Sequence, residues 1–179
     1  MDQIKALITL WKDSFPVRAK KTIELLSQAG LTKDVIDQEV RLVISNPESF
    51  PNGIPTILKG TYRKPSKMIE ARFNFAGSII DMSEKWLGIS EMEKVWSNKR
   101  ILNHIESHKK FWDGSAPSVF PFKRLSLFGV TIGEEENQIY LIWPKEGSLE
   151  EPQLWRYSGQ HEHKFLNFVD FLKWIVENP

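Results

Sequence analysis

Four histidines are the residues whose type and spacing come closest to a metal-binding pattern. His104 and His108 are four residues apart, so on the helix predicted there they share one face. His161 and His163 would lie on one side of an extended segment. If the two pairs met, four imidazole nitrogens could hold zinc, and a zinc-bound water would support a metal-dependent hydrolase. The first pair reads H-x-E-x-H, however, and not the H-E-x-x-H of zinc proteases. Each pair also has a lysine beside it, which favours histidines exposed to solvent.

The chain lacks the other sequence signatures of catalysis. Its 179 residues include no cysteine, which excludes disulfides, thiolate metal sites, iron–sulfur clusters and cysteine nucleophiles. No G-x-S-x-G nucleophile elbow, G-x-x-x-x-G-K-[ST] loop or G-x-G-x-x-G fingerprint occurs in it. We therefore expect a protein that is not an enzyme and that holds no cofactor and no metal, with the histidine-based hydrolase as an alternative.

A cluster of basic residues with one aromatic lies in a proline-rich stretch. Its members are Lys59, Tyr62, Arg63, Lys64 and Lys67. Aromatic stacking beside cationic side chains is how proteins grip single-stranded nucleic acid, so binding through this cluster is a second alternative. The formal net charge of the whole chain is only +1, which argues against a strongly electrostatic partner such as duplex DNA. We expect the cluster to form a solvated loop.

The small net charge conceals an uneven distribution along the chain. Residues 1–75 carry a net charge of +4, whereas residues 113–179 carry −4. The acidic part includes a run of three glutamates between two predicted strands, Glu134, Glu135 and Glu136. An acidic face would attract a basic partner by electrostatic steering.

The seven tryptophans are the other departure from average composition. Four of them lie on or beside apolar helical stripes and are expected in the core: Trp11, Trp96, Trp112 and Trp174. Trp143 and Trp155 instead lie at the ends of predicted strands, the second followed by Arg156 and Tyr157. Because Trp, Tyr and Arg dominate interface hot spots, we predict that these four residues and the three glutamates form a protein-binding surface.

The first 67 residues divide into a helical and an irregular portion. Residues 1–45 predict three short helices, the second between Pro16 and Gly30 and the third capped by Thr32. The residues of this third segment predicted to face inward are Val35, Ile36, Val40 and Val43. From residue 46 to residue 67, four prolines and two glycines interrupt any helix or central strand.

Residues 68–179 predict mixed helices and strands. Apolar and polar residues alternate over 68–75, which indicates a strand, and the S-x-x-E capping box at 90–93 indicates the start of the longest helix. Three further strands with short connections and a closing amphipathic helix follow. We therefore predict an α+β fold, with a curved antiparallel sheet flanked by helices and a helical N-terminal portion. The three portions, 1–45, 46–67 and 68–179, are expected to form one unit.

The order of elements over residues 86–176 resembles the SUKH superfamily, which groups a fungal cell-wall-synthesis regulator with many bacterial toxin-immunity proteins. The segments that carry the resemblance are LGISEME at 87–93, FPF at 120–122, LSLFG at 125–129, QIYLIW at 138–143, QLWRY at 153–157 and FLNFVDFL at 165–172. The resemblance implies an α+β fold with a curved antiparallel sheet and a non-enzymatic role in binding another protein. In bacterial members that partner is often a nuclease or deaminase toxin, which is neutralised by occlusion.

These observations together predict a protein-binding module of the cytoplasm. The first residues contain an acid and no long apolar stretch, and no window reaches the roughly 18 apolar residues that cross a bilayer. The resemblance implies an immunity protein, and the acidic C-terminal third favours a basic toxin domain as its partner. We expect no membrane and no nucleic-acid partner.

Overall fold

Three helices begin the chain in the computed structural model, which describes residues 2–133, 137–145 and 151–178. They are α1 (Asp2–Asp13), α2 (Phe15–Gln28) and α3 (Lys33–Glu39). Pro16 lies in the first turn of α2, where its missing N–H costs nothing. Gly30, with φ of +81°, reverses the chain after α2. The helical N-terminal portion predicted from the sequence is thus confirmed.

Seven antiparallel strands form the main sheet, in the order β1-β4-β5-β6-β7-β8-β9. They are β1 (Leu42–Ile44), β4 (Ile79–Asp81), β5 (Glu84–Trp86), β6 (Leu125–Thr131), β7 (Gln138–Ile142), β8 (Gln153–Ser158) and β9 (His161–Phe165). A separate hairpin pairs β2 (Ile54–Pro55) with β3 (Tyr62–Arg63). The predicted α+β fold with an antiparallel sheet is confirmed. β1 lies within the portion predicted as helical, because its partner β4 is remote in sequence.

Five further helices complete the described elements: α4 (Lys67–Phe75), α5 (Ile89–Lys94), α6 (Lys99–Phe111), α7 (Ala116–Val119) and α8 (Phe168–Glu177). In the described part of the chain, no helix is both long enough and apolar enough to cross a membrane. The longest predicted helix is divided, because a 3₁₀ turn at Val95–Ser97 separates α5 from α6. Its capping box lies two residues earlier than predicted, with Glu91 accepting from the Gly88 amide at 3.1 Å.

Helices cover both faces of the sheet. On one face, Trp86 of β5 stacks on Trp11 of α1 with ring centroids 4.8 Å apart, and it also packs on Phe168 and Phe171 of α8. On the other face, the Tyr157 hydroxyl of β8 accepts from the Ala116 amide of α7 at 2.7 Å. These contacts place α1 and α8 on one side of the sheet and α6 and α7 on the other.

The segment 68–75, predicted as a strand, is a helix. Its apolar residues at alternate positions also satisfy a helical stripe, since Ile69 and Phe73 are four residues apart and both are fully buried. Ser66 accepts a hydrogen bond from the Ile69 amide at 3.4 Å and caps the helix. Arg72 and Phe73 are adjacent, so a strand would direct their side chains to opposite faces of the sheet. In the helix both side chains are fully buried.

Candidate protein-binding surface

The aromatic residues predicted to form a protein-binding surface belong to the core. Trp143 and Tyr157 are each 1% exposed and Trp155 is 8% exposed. The Arg63 guanidinium lies over the ring of Trp143, and the Lys164 ammonium lies 3.8 Å from the ring centroid of Trp155. Arg63 comes from a distant part of the chain and Lys164 from the neighbouring strand β9, so the strand ends that looked open in the sequence are covered. The prediction that a partner contacts these three rings is wrong.

The remaining members of that predicted surface do not form a site among the described residues. Arg156 donates from Nε to Glu84 at 2.8 Å and lies over the ring of Trp174, so it joins β8 to β5 and α8. Glu134, Glu135 and Glu136, which were predicted to belong to the same surface, lie outside the described residues.

Other carboxylates of the acidic C-terminal third hold the fold together. Glu151 accepts from the Met68 amide at 3.2 Å, and Glu162 accepts from the Tyr157 hydroxyl at 2.7 Å. Asp170 accepts a hydrogen bond from the Asn167 side-chain amide at 3.1 Å. Each of these carboxylates is thus bound within the fold, so the acidic balance of this third is not by itself a binding face.

The sheet separates the two histidine pairs. His108 packs against Tyr157, with ring centroids 5.3 Å apart, on the α6 face. His163 packs against Trp174 at 5.0 Å on the α8 face, together with its strand partner Arg156. His161 is two residues from His163 and therefore shares its face. The alternative that His104 and His108 meet His161 and His163 around one metal ion is wrong, and in the described part of the chain no three His, Asp or Glu residues are grouped to hold a metal.

The basic cluster Lys59–Lys67 does not present an open aromatic platform. The Tyr62 hydroxyl donates to Glu93 at 2.9 Å, and its ring packs edge-on against Trp96. This hydrogen bond to a carboxylate raises the pKa of the Tyr62 phenol. Arg63 donates to the Lys145 carbonyl at 3.3 Å, so the stacking residue and its basic neighbour both serve the fold. Nothing in this geometry favours nucleic-acid binding.

Several apolar side chains of α2, α3 and the connection between them are exposed, although their spacing in the sequence resembles that of core residues. α2 buries only Arg18 and Ala19, and α3 buries only Ile36. Val17 (70%) is exposed in the first half of α2. Four further large apolar residues are exposed between residues 22 and 40, namely Ile23 (41%), Leu25 (58%), Leu31 (36%) and Val35 (41%). Val35 was predicted to face inward, as was Val43 of β1, which is 47% exposed. Both predictions are wrong, because α3 buries only Ile36 and because Val43 lies on the edge strand of the sheet.

The acidic residues of this pair lie beyond the first half of α2, which carries Arg18, Lys20 and Lys21. Between residues 22 and 40 the acidic residues are Glu24, Asp34, Asp37 and Glu39, and Lys33 is the single basic residue, giving a net charge of −3. All four carboxylates are on exposed residues. Glu24 lies 4.0 Å from Lys20, and the other three make no hydrogen bond or ion pair with any residue that the structure describes. We call these four carboxylates and the four exposed apolar residues the α2–α3 surface.

A buried ion pair fixes this surface to the sheet. Arg18 of α2 donates to both carboxylate oxygens of Asp81 at 2.9 Å, and the Trp11 indole donates to the same group at 3.0 Å. Burial raises the pKa of Asp81, while the Arg18 guanidinium and the Trp11 indole oppose that rise. Met82, which follows β4, adopts a φ of +57° and accepts a hydrogen bond on its sulfur from Thr22 of α2. The α2–α3 surface is therefore attached to the sheet through Arg18 and Thr22 of α2, while its apolar and acidic residues remain exposed.

No known family model matches this chain, and comparison with curated proteins and with solved structures also finds no match. The function is therefore inferred from the residues of the α2–α3 surface. Exposed apolar groups interspersed with carboxylates, three of them unpaired within the described part of the chain, are suited to contact with another macromolecule.

Proposed function

We propose that the protein is a non-enzymatic binding module whose α2–α3 surface contacts a basic partner protein. The observation that carries the proposal is the joint exposure of four large apolar side chains and four carboxylates between residues 22 and 40. Apolar side chains supply the desolvated centre of a protein interface, and unpaired charges supply orientation and on-rate. The net charge of −3 between residues 22 and 40 favours a positively charged surface there, with Lys20 and Lys21 at its margin.

A toxin domain that acts on nucleic acid has the chemistry this surface would select. Such a domain needs a positive surface to attract phosphates, and an acidic surface competes for the same region. Occlusion of the toxin then requires no catalytic group on this chain. The resemblance of residues 86–176 to the SUKH superfamily supports the same interpretation, in which the protein is an immunity protein. A cytoplasmic location is part of the proposal, and the absence of cysteine from the sequence suits a reducing compartment.

The test uses the purified protein encoded by the adjacent gene as the probe, since immunity and toxin genes lie together. Calorimetric titration of that protein should give a dissociation constant that weakens as sodium chloride rises from about 50 to 200 mM. Leu25→Ser and Asp37→Lys should each weaken binding by roughly tenfold. The matched controls are Leu166→Ser and Asp113→Lys, which change exposed residues elsewhere and should leave the dissociation constant unchanged.

Two outcomes would count against the proposal in different ways. If all four variants bind alike, the α2–α3 surface is not the contact. If the probe binds through this surface but its nuclease or deaminase activity is not inhibited at one equivalent of this chain, the binding module stands and the immunity role is rejected.

A further inference from the structure

The two edges of the main sheet differ in how they are protected. β9, at one edge, reads His161-Glu162-His163-Lys164 before Phe165, and charged side chains of this kind discourage pairing with another strand. β1, at the other edge, consists of Leu42, Val43 and Ile44 and carries no charge. Natural proteins protect edge strands by charge, proline, bulges, a covering element or very short length, and of these β1 has short length, with three residues.

The register of β1 against β4 shows which backbone groups face outward. The Met82 amide donates to the Arg41 carbonyl at 2.9 Å, and the Ser45 amide donates to the Ser78 carbonyl at 3.0 Å. In an antiparallel pair, residues that bond to the neighbour alternate with residues that point away from it. Arg41, Val43 and Ser45 therefore bond inward to β4.

Leu42 and Ile44 consequently direct their N–H and C=O groups away from the sheet. None of these four groups hydrogen-bonds to any part of the chain that the structure describes. Val43, between them, is 47% exposed. Water can satisfy these groups one by one, whereas another extended strand supplies donors and acceptors for all four at once, because the outward groups repeat every second residue along the edge.

We propose that the β1 edges of two copies of this chain pair antiparallel about a two-fold axis at Val43, joining the two sheets into one. In that register Leu42 lies opposite Ile44 of the second copy, and Ile44 lies opposite its Leu42. Both are hydrogen-bonded pairs, so all four outward groups of each chain are satisfied by four interchain bonds. Val43 lies opposite Val43 of the second copy at the closely spaced position, where apolar side chains pack best.

A second copy fits this edge better than an arbitrary strand for two reasons. The outward groups are symmetric about Val43, so the edge is complementary to itself, as a two-fold interface requires. The flanking residues also permit it, because the register places Arg41 opposite Ser45 of the second copy and no like charges face each other. Pro47 limits the pairing on one side and α3 on the other, which fixes the register. This inference does not depend on the α2–α3 surface or on a basic partner.

The test is sedimentation velocity of the full chain over roughly 1 to 300 μM, combined with amide hydrogen exchange. We expect reversible dimerisation, in which the amides of Leu42 and Ile44 exchange more slowly as concentration rises. The amides of Val43 and Ser45, already bonded to β4, should not change. Val43→Glu places like charges at the closest pair and should weaken dimerisation at least ~10-fold. Leu58→Glu, at an equally exposed apolar position (46%) outside the main sheet, is the control and should leave it unchanged.

Three results would overturn the inference. The first is a chain that stays monomeric over the whole range, and the second is a dimer that Val43→Glu does not weaken. The third is protection of Leu42 and Ile44 only after a different protein is added, which would assign the edge to that protein. Because binding of the adjacent gene's product is measured separately on α2–α3 variants, failure here leaves the proposed function untouched.

Discussion

Arg18 of α2 and Asp81 of β4 form an ion pair in which one guanidinium nitrogen lies 2.9 Å from both carboxylate oxygens. The Arg18 side chain is only 4% exposed and that of Asp81 only 6%. α2 buries one other residue, Ala19, so little apolar packing supports this helix. The position of the α2–α3 surface therefore depends on a pair of charges and not on a hydrophobic contact.

Removing both members of this pair should cost less stability than the two single removals added together. Asp81→Asn leaves the Arg18 guanidinium buried without a counter-charge and should lower the free energy of unfolding by about 3 to 5 kcal/mol. Arg18→Met leaves the opposite charge unpaired and should also be strongly destabilising. Urea denaturation of the two single variants and the double variant measures the coupling. We expect the double variant to lose clearly less stability than the two single losses added together, and strict additivity would contradict this account.

Gly53 and Gly60 offer a matched pair of positive-φ positions in the β2–β3 hairpin region. Gly53 has φ of +97° and Gly60 has φ of +76°, so alanine is strained at both. A Cβ at Gly53 would collide with the carbonyl oxygen of Arg63, whereas a Cβ at Gly60 meets no atom within 4 Å. We expect Gly60→Ala to cost about 1 kcal/mol and Gly53→Ala about 3 kcal/mol in urea denaturation. Equal losses would show that the hairpin relaxes around the new methyl group.

Local patterns in the sequence predict the N-terminal helices, the closing helix and the α+β class, because each of these depends on spacing within one segment. The strand β1 is not predicted, since it forms only by pairing with β4, which begins 35 residues later at Ile79. Residues 68–75 are misassigned for a related reason. Their apolar alternation fits both a strand and a helix, and only the burial of Arg72 beside Phe73 separates the two.

The candidate site is harder to predict than the fold, because exposure depends on what covers a residue. Trp143 and Trp155 lie at strand ends in the sequence, yet Arg63 and Lys164 cover them in the fold. Val35 has the spacing of a core residue, yet α3 buries only Ile36. The acidic charge between residues 22 and 40 could have been found from the sequence, but charge summed over the first 75 residues is positive and conceals it.

Alkaline pH should destabilise the protein through two buried phenols. Burial raises the pKa of Tyr140 well above its ordinary value of 10, and burial followed by the hydrogen bond to Glu162 raises that of Tyr157. The folded protein then keeps two protons that the unfolded chain releases near pH 10. A raised pKa of this kind contributes stability that is complete below pH 10 and is lost as pH rises further. We expect the free energy of unfolding to fall by about 1.4 kcal/mol per pH unit for each of these tyrosines.

The measurement is urea denaturation between pH 9 and pH 12, with tyrosinate absorbance of the native protein followed in parallel. Only Tyr62 of the three tyrosines is not buried, so native absorbance should first rise by one tyrosine, and Tyr62→Phe should abolish that rise. Tyr140→Phe removes one of the two retained protons and should reduce the pH slope of unfolding by about 1.4 kcal/mol per pH unit, whatever its effect on stability at neutral pH. Ionisation of all three tyrosines in protein that keeps its native circular dichroism would show that water reaches Tyr140 and Tyr157, and that their burial does not control the alkaline stability.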